Sequence, residues 1–83
     1  MIDINKAIEL FEAYEHEYVG TIFDVGHSFI MVSVDEYGDV IEVSPIAINK
    51  KTGKMTDYFP PDHWGELEKA KKINIRNLNG TVN

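Results

Sequence analysis

Apolar residues at three- and four-residue spacings mark the first element. Ile4, Ala7, Ile8, Phe11, Tyr14 and Tyr18 share one face, with Leu10 on its flank. The spacing predicts an amphipathic helix over 4–18. Asp3 or Asn5 serves as its N-cap, because a short oxygen-bearing side chain accepts from the free amides of the first turn. The end is expected near Tyr18–Gly20, where Gly20 either closes the helix left-handed or opens the next strand. Glu9, Glu12 and His16 fall on the opposite face, bordered by Glu15 and Glu17. On this reading Tyr14 and Tyr18 turn inward with the stripe.

From Tyr18 the period changes to two. Val19, Thr21, Phe23 and Val25 fall on one face of a predicted strand, and Tyr18, Gly20, Ile22 and Asp24 on the other. Gly26 supplies a turn. Ser28–Val34 is apolar almost throughout, as expected of a central strand with one face covered. Asp35-Glu36-Tyr37-Gly38-Asp39 reads as a turn, and Val40–Val43 begins another strand that Pro45 interrupts. Ile46 and Ile48 then alternate with Ala47 and Asn49, and Lys50–Gly53 forms a tight turn with Gly53 at a position needing positive φ. Met55–Phe59 returns the chain. Pro60 and Pro61 stop it, since proline has no N–H for the ladder.

A second helix is predicted from Asp62, its cap, to about Lys72. Trp64, Leu67 and Ala70 form its narrow apolar stripe, with Trp64 packing in the core. Glu66 and Glu68 come early and Lys69, Lys71 and Lys72 late, an order that suits the helix dipole. Ile73 and Ile75 offer a short edge strand. Residues 76–83 form a tail that either frays or extends that edge. The expected fold is α+β: an N-terminal helix, a three- to four-stranded antiparallel sheet and a short C-terminal helix. Residues 1–75 make a single domain.

With 83 residues there is room for one domain and little interior volume. Cysteine is absent, which removes disulfides, thiolate metal sites and a cysteine nucleophile and favours a reducing compartment. The start Met-Ile-Asp-Ile-Asn lacks the basic and apolar runs of a signal peptide, and no stretch is apolar over about 20 residues. A cytoplasmic protein that engages no membrane is expected. The net charge of −6 argues against direct nucleic-acid binding, which needs a basic footprint. Most acids precede residue 50, whereas every lysine except Lys6 lies at or beyond it. Such asymmetry suits a basic partner, although solubility alone accounts for net charge as well.

The chemical motifs are sparse. His16, His27 and His63 lie on separate elements without an HxxxH or HxH spacing, so exposed or capping roles outweigh metal binding. The turn Asp35–Asp39 lacks the alternating ligands and distal glutamate of a calcium loop. Ser28, Ser33 and Ser44 stand outside any nucleophile-elbow context, and no phosphate or dinucleotide glycine pattern is present. Neither enzyme nor cofactor is expected. The candidate contact residues are Glu9, Glu12, Glu15 and Glu17 on the first helix, and Asp35, Glu36, Tyr37 and Asp39 at a loop tip.

Residues 45–58, Pro45-Ile46-Ala47-Ile48-Asn49 leading through Lys51-Thr52-Gly53 to a second strand and a terminal helix, resemble a known pattern. The segment is similar to the C-terminal part of YrhB-like immunity proteins of polymorphic toxin systems, and a comparable turn occurs in PepSY-like modules. Gly26-His27-Ser28-Phe29 stands where the immunity pattern has Gly-Trp, and Asn49 replaces its usual acid. The resemblance implies a small cytoplasmic protein that binds and blocks a toxin and catalyses nothing; the acidic charge adds the expectation that this partner is basic. A nucleic-acid-mimicking inhibitor, which needs one continuous acidic stripe, is the first alternative. A self-associating assembly module, such as a homodimer through a sheet edge, is the second.

Overall fold

The computed structural model describes residues 1–41 and 43–75; the predicted tail 76–83 lies outside the described residues. The elements are α1 (Ile4–Glu15), β1 (Tyr18–Asp24), β2 (Ser28–Val34), β3 (Ile46–Asn49) and β4 (Met55–Asp57). A 3₁₀ turn (Pro60–His63), α2 (Trp64–Glu68) and β5 (Lys71–Asn74) follow. They build one five-stranded antiparallel sheet in the order β4-β3-β2-β1-β5, an α+β fold. The fifth strand is the predicted edge, hydrogen-bonded to β1 with Ile22 opposite Ile73.

One face of the sheet carries α1. Ala7 and Phe11 pack on Val19, Ile22, Phe29, Met31, Ile46 and Ile48, and Ile4, Ile8, Met55 and Ile73 close the margin. Asp3 caps the helix, its carboxylate accepting from the Lys6 amide at 2.8 Å. The helix ends earlier than predicted. His16 takes a left-handed conformation (φ 59°) and its N–H donates to the Glu12 carbonyl, so the stripe stops at Glu15. Tyr18 therefore belongs to β1, and Tyr14 sits beyond the area that the sheet covers. Neither turns inward: Tyr14 is 64% exposed and Tyr18 43%.

The predicted faces of β1 are also corrected. Register shifts between Val19 and Thr21, so two β1 positions advance against one on β2. Gly20 lies within this bulge. Past it the faces exchange: Val19 and Ile22 both point to α1, while Phe23 points away.

Phe23 joins Ile30 and Val32 on the second face, where Pro45, Tyr58, Pro60, Trp64 and Leu67 lie against them around a cavity of about 210 Å³. The second helix thus covers the face opposite α1. It is much shorter than predicted, because Lys71–Asn74 is drawn into pairing with β1. Asp62 sits inside the 3₁₀ turn, and no side chain caps either short helix. Trp64 is a rim residue, 58% exposed, and not part of the core. Of the predicted strand after the Asp35–Asp39 turn, the described residues show one bridge, Val34 opposite Val40.

Candidate functional site

The antiparallel register sorts the charges to two ends of the sheet. At one end Tyr18 stands opposite Val34, and Val34 opposite Val40, which brings Glu17 beside the Asp35–Asp39 turn. Tyr14 and Glu15, from the last turn of α1, sit next to Ile46, Met55, Thr56 and Asp57 around a groove of about 380 Å³. Tyr37 projects from the turn and is 67% exposed. This end therefore presents tyrosines among carboxylates.

Not every acidic candidate is available there. Glu12 accepts from the Val19 amide at 3.2 Å and ties α1 to β1. Asp35 accepts from the Tyr37 and Asp39 amides at 2.8 and 3.0 Å, which fixes the loop and leaves that oxygen committed. Glu9 pairs with Lys6 one turn back, at 3.1 Å and exposed, where such a pair stabilises little. Of the acidic candidates, Glu15, Glu17, Glu36 and Asp39 remain at the tyrosine end.

The other end gathers lysines around the β1–β2 turn. The Lys50 amide donates to the His27 carbonyl, Lys71 stands opposite Asp24, and Lys69 shares a cleft with Asp24 and Gly26. Lys50 donates to Asp24 at 2.7 Å and lies 4.7 Å over the Phe29 ring, so its charge is half-buried and paired. The adjoining turn is built by Asn49, whose side chain accepts from the Lys51 and Thr52 amides, while Gly53 takes φ 73° as expected.

On the second face, a polar chain that begins at this end joins residues that are far apart in sequence. Tyr58, buried, donates its hydroxyl to Glu66 Oε1 at 2.7 Å. Glu66 Oε2 lies 3.0 Å from His27 Nε2, and His27 Nδ1 lies 2.9 Å from Ser28 Oγ. His63 stacks on the Tyr58 ring at 4.3 Å, its Nδ1 3.8 Å from the same carboxylate. Two of the three histidines thus converge on one acid, which separate elements in the sequence do not reveal; His16 stays at the helix terminus. Among the described residues no group of three or more His, Cys, Asp and Glu is arranged to hold a metal ion. Nor is any described helix long and apolar enough to cross a membrane.

These contacts set the response to pH. His27, and then Tyr58, hold the Glu66 carboxyl below its usual range, and Lys50 does the same for Asp24. Burial, reinforced by the Glu66 charge, pushes the Tyr58 phenol up. For the two carboxylates the unfolded chain binds more protons, so their contribution is complete above about pH 5 and is lost as pH falls through the folded values. For Tyr58 the sign reverses: the folded state keeps a proton that the unfolded chain releases near pH 10, so stability declines above that. Urea unfolding across pH should show both limbs, with Glu66→Gln plus Asp24→Asn flattening the acid one and Tyr58→Phe the alkaline one. Limbs unchanged in these variants would refute the assignment.

Comparison with protein families, with curated proteins and with solved structures finds no significant match to the chain, so the fold and its sites are the ground for a functional reading.

Proposed function

We propose that this is a cytoplasmic binding protein that occupies a basic protein partner through its tyrosine end, in the manner of an immunity or inhibitor protein. The observation carrying this reading is the grouping of exposed Tyr14 and Tyr37 with Glu15, Glu17, Glu36 and Asp39 at one end of the sheet. Carboxylates there accelerate encounter with a basic surface, and tyrosines give large contact area at small entropic cost. The hairpin resembling YrhB-like immunity proteins supports the same reading.

The test is binding to the product of the adjacent gene, where an immunity protein's toxin would be encoded, by calorimetry at about 50 and 300 mM salt. Glu17→Lys, Glu36→Lys and Asp39→Lys together should weaken binding at least about tenfold at low salt, and Tyr37→Ala by a similar factor. Absence of a complex, or one indifferent to salt and to these changes, refutes the proposal.

A further inference from the structure

The geometry points to Ser28 as an activated nucleophile, with His27 as its base and Glu66 orienting that base, able to take acyl groups from small carboxylic esters. The inference is independent of partner binding: the β1–β2 turn lies at the opposite end of the sheet from Tyr37.

Three contacts carry it. Ser28 Oγ is 2.9 Å from His27 Nδ1, and His27 Nε2 is 3.0 Å from Glu66 Oε2, the reach that a nucleophile, base and orienting acid require. The Glu66 carboxylate, an acceptor, selects the tautomer with the proton on Nε2, which leaves the Nδ1 lone pair for the Ser28 hydroxyl. Tyr58 donates to the other Glu66 oxygen at 2.7 Å, so both oxygens are held and the carboxylate cannot swing away. Ser28 and His27 touch the reacting atoms in this scheme; Glu66 and Tyr58 are positioning residues.

Ser28 is 5% exposed, and its access is a groove of about 280 Å³ lined also by Ala47, Asn49, Thr52, Lys54 and Thr56. That volume suits a short acyl chain. Lys54, the one charged residue among the described lining residues, favours an ester whose acyl group carries a carboxylate. In the reaction Ser28 Oγ bonds to the ester carbonyl carbon as its proton passes to His27 Nδ1. The alkoxide leaving group departs with that proton. Water then attacks the acyl-serine, giving its proton to His27, and the acid and free serine are released.

The probe is a small alkyl fluorophosphonate, which forms a stable phosphonyl-serine with loss of fluoride, read by peptide mass spectrometry. The adduct is expected on Ser28 and not on Ser44, which is more exposed. His27→Ala should slow labelling at least about 100-fold, with partial recovery on adding imidazole. Glu66→Gln should slow it about tenfold while the protein stays folded by circular dichroism. Turnover of p-nitrophenyl succinate should exceed that of p-nitrophenyl acetate, and Lys54→Ala should remove the difference. No adduct on the wild-type protein, labelling of Ser44 as fast as Ser28, or a His27→Ala defect that imidazole fails to relieve would each overturn the inference.

Discussion

Phe11→Ala is expected to destabilise the protein by about 3–5 kcal/mol, a large share of its total stability. Phe11 is fully buried and is the largest such side chain among the described residues, seated between α1 and the sheet among Ile22, Met31 and Ile48. Truncating a buried phenylalanine costs about 3–5 kcal/mol through lost transfer energy and the cavity left behind. A domain of this length has only about 4–12 kcal/mol in total. Tyr14→Ala supplies the contrast: it deletes an aromatic ring from the same helical stripe, one turn later, but from an exposed position. That change should cost less than about 0.5 kcal/mol. Urea titration followed by far-ultraviolet circular dichroism measures both. Similar costs for the two would mean that α1 does not seat on the sheet as described.

The contrast between Phe11 and Tyr14 also shows what the sequence can and cannot disclose. Helical spacing places both on one stripe, but the length of stripe that is buried depends on where the sheet ends, a tertiary fact. The hairpins were more legible because their signals are local: Gly26 and Gly53 take the positive φ that their turns require, and β3 begins directly after Pro45. Lys69–Lys72 read as helix by charge order, but the free edge of β1 offered Lys71–Asn74 four ladder positions. Helix propensity, worth tenths of a kcal/mol per residue, does not withstand that competition.

The candidate sites divide in the same way. The loop tip at Asp35–Asp39 was readable from its turn composition, and its place beside Glu17 follows once β1 and β2 pair. The chain from Tyr58 through Glu66 and His27 to Ser28 was not readable. His27 and Glu66 are 39 positions apart and meet only because the 3₁₀ turn and α2 fold back over the second sheet face. The adjacent His27-Ser28 pair was the only visible half of it, and such a dipeptide carries no information without its carboxylate.

Gly20→Ala is expected to destabilise the fold by about 1–3 kcal/mol, the cost of overpacking a filled interior. A Cβ built at Gly20 collides with Val34 Cγ1, and Val34 Cβ and Cγ2 are each only 3.2 Å away. Rotating the valine about χ1 therefore exchanges one methyl contact for another, and a β-branched side chain on a central strand has few alternatives. The backbone is equally held: the Gly20 carbonyl accepts from the Ile75 amide at 2.8 Å, so shifting the bulge breaks the join to the last described residue. Glycine is thus needed here for space, where a purely period-two strand would have accepted any small residue. A double-mutant cycle decides it. Val34→Ala alone should cost energy, since Val34 is buried, but Gly20→Ala introduced into that background should cost at least about 1 kcal/mol less than in the wild-type protein. Strict additivity would place the two side chains apart and remove the bulge from the account of β1. With the bulge gone, Val19 and Ile22 would no longer share the face beneath α1, and the core against which Phe11 packs would have to be drawn differently.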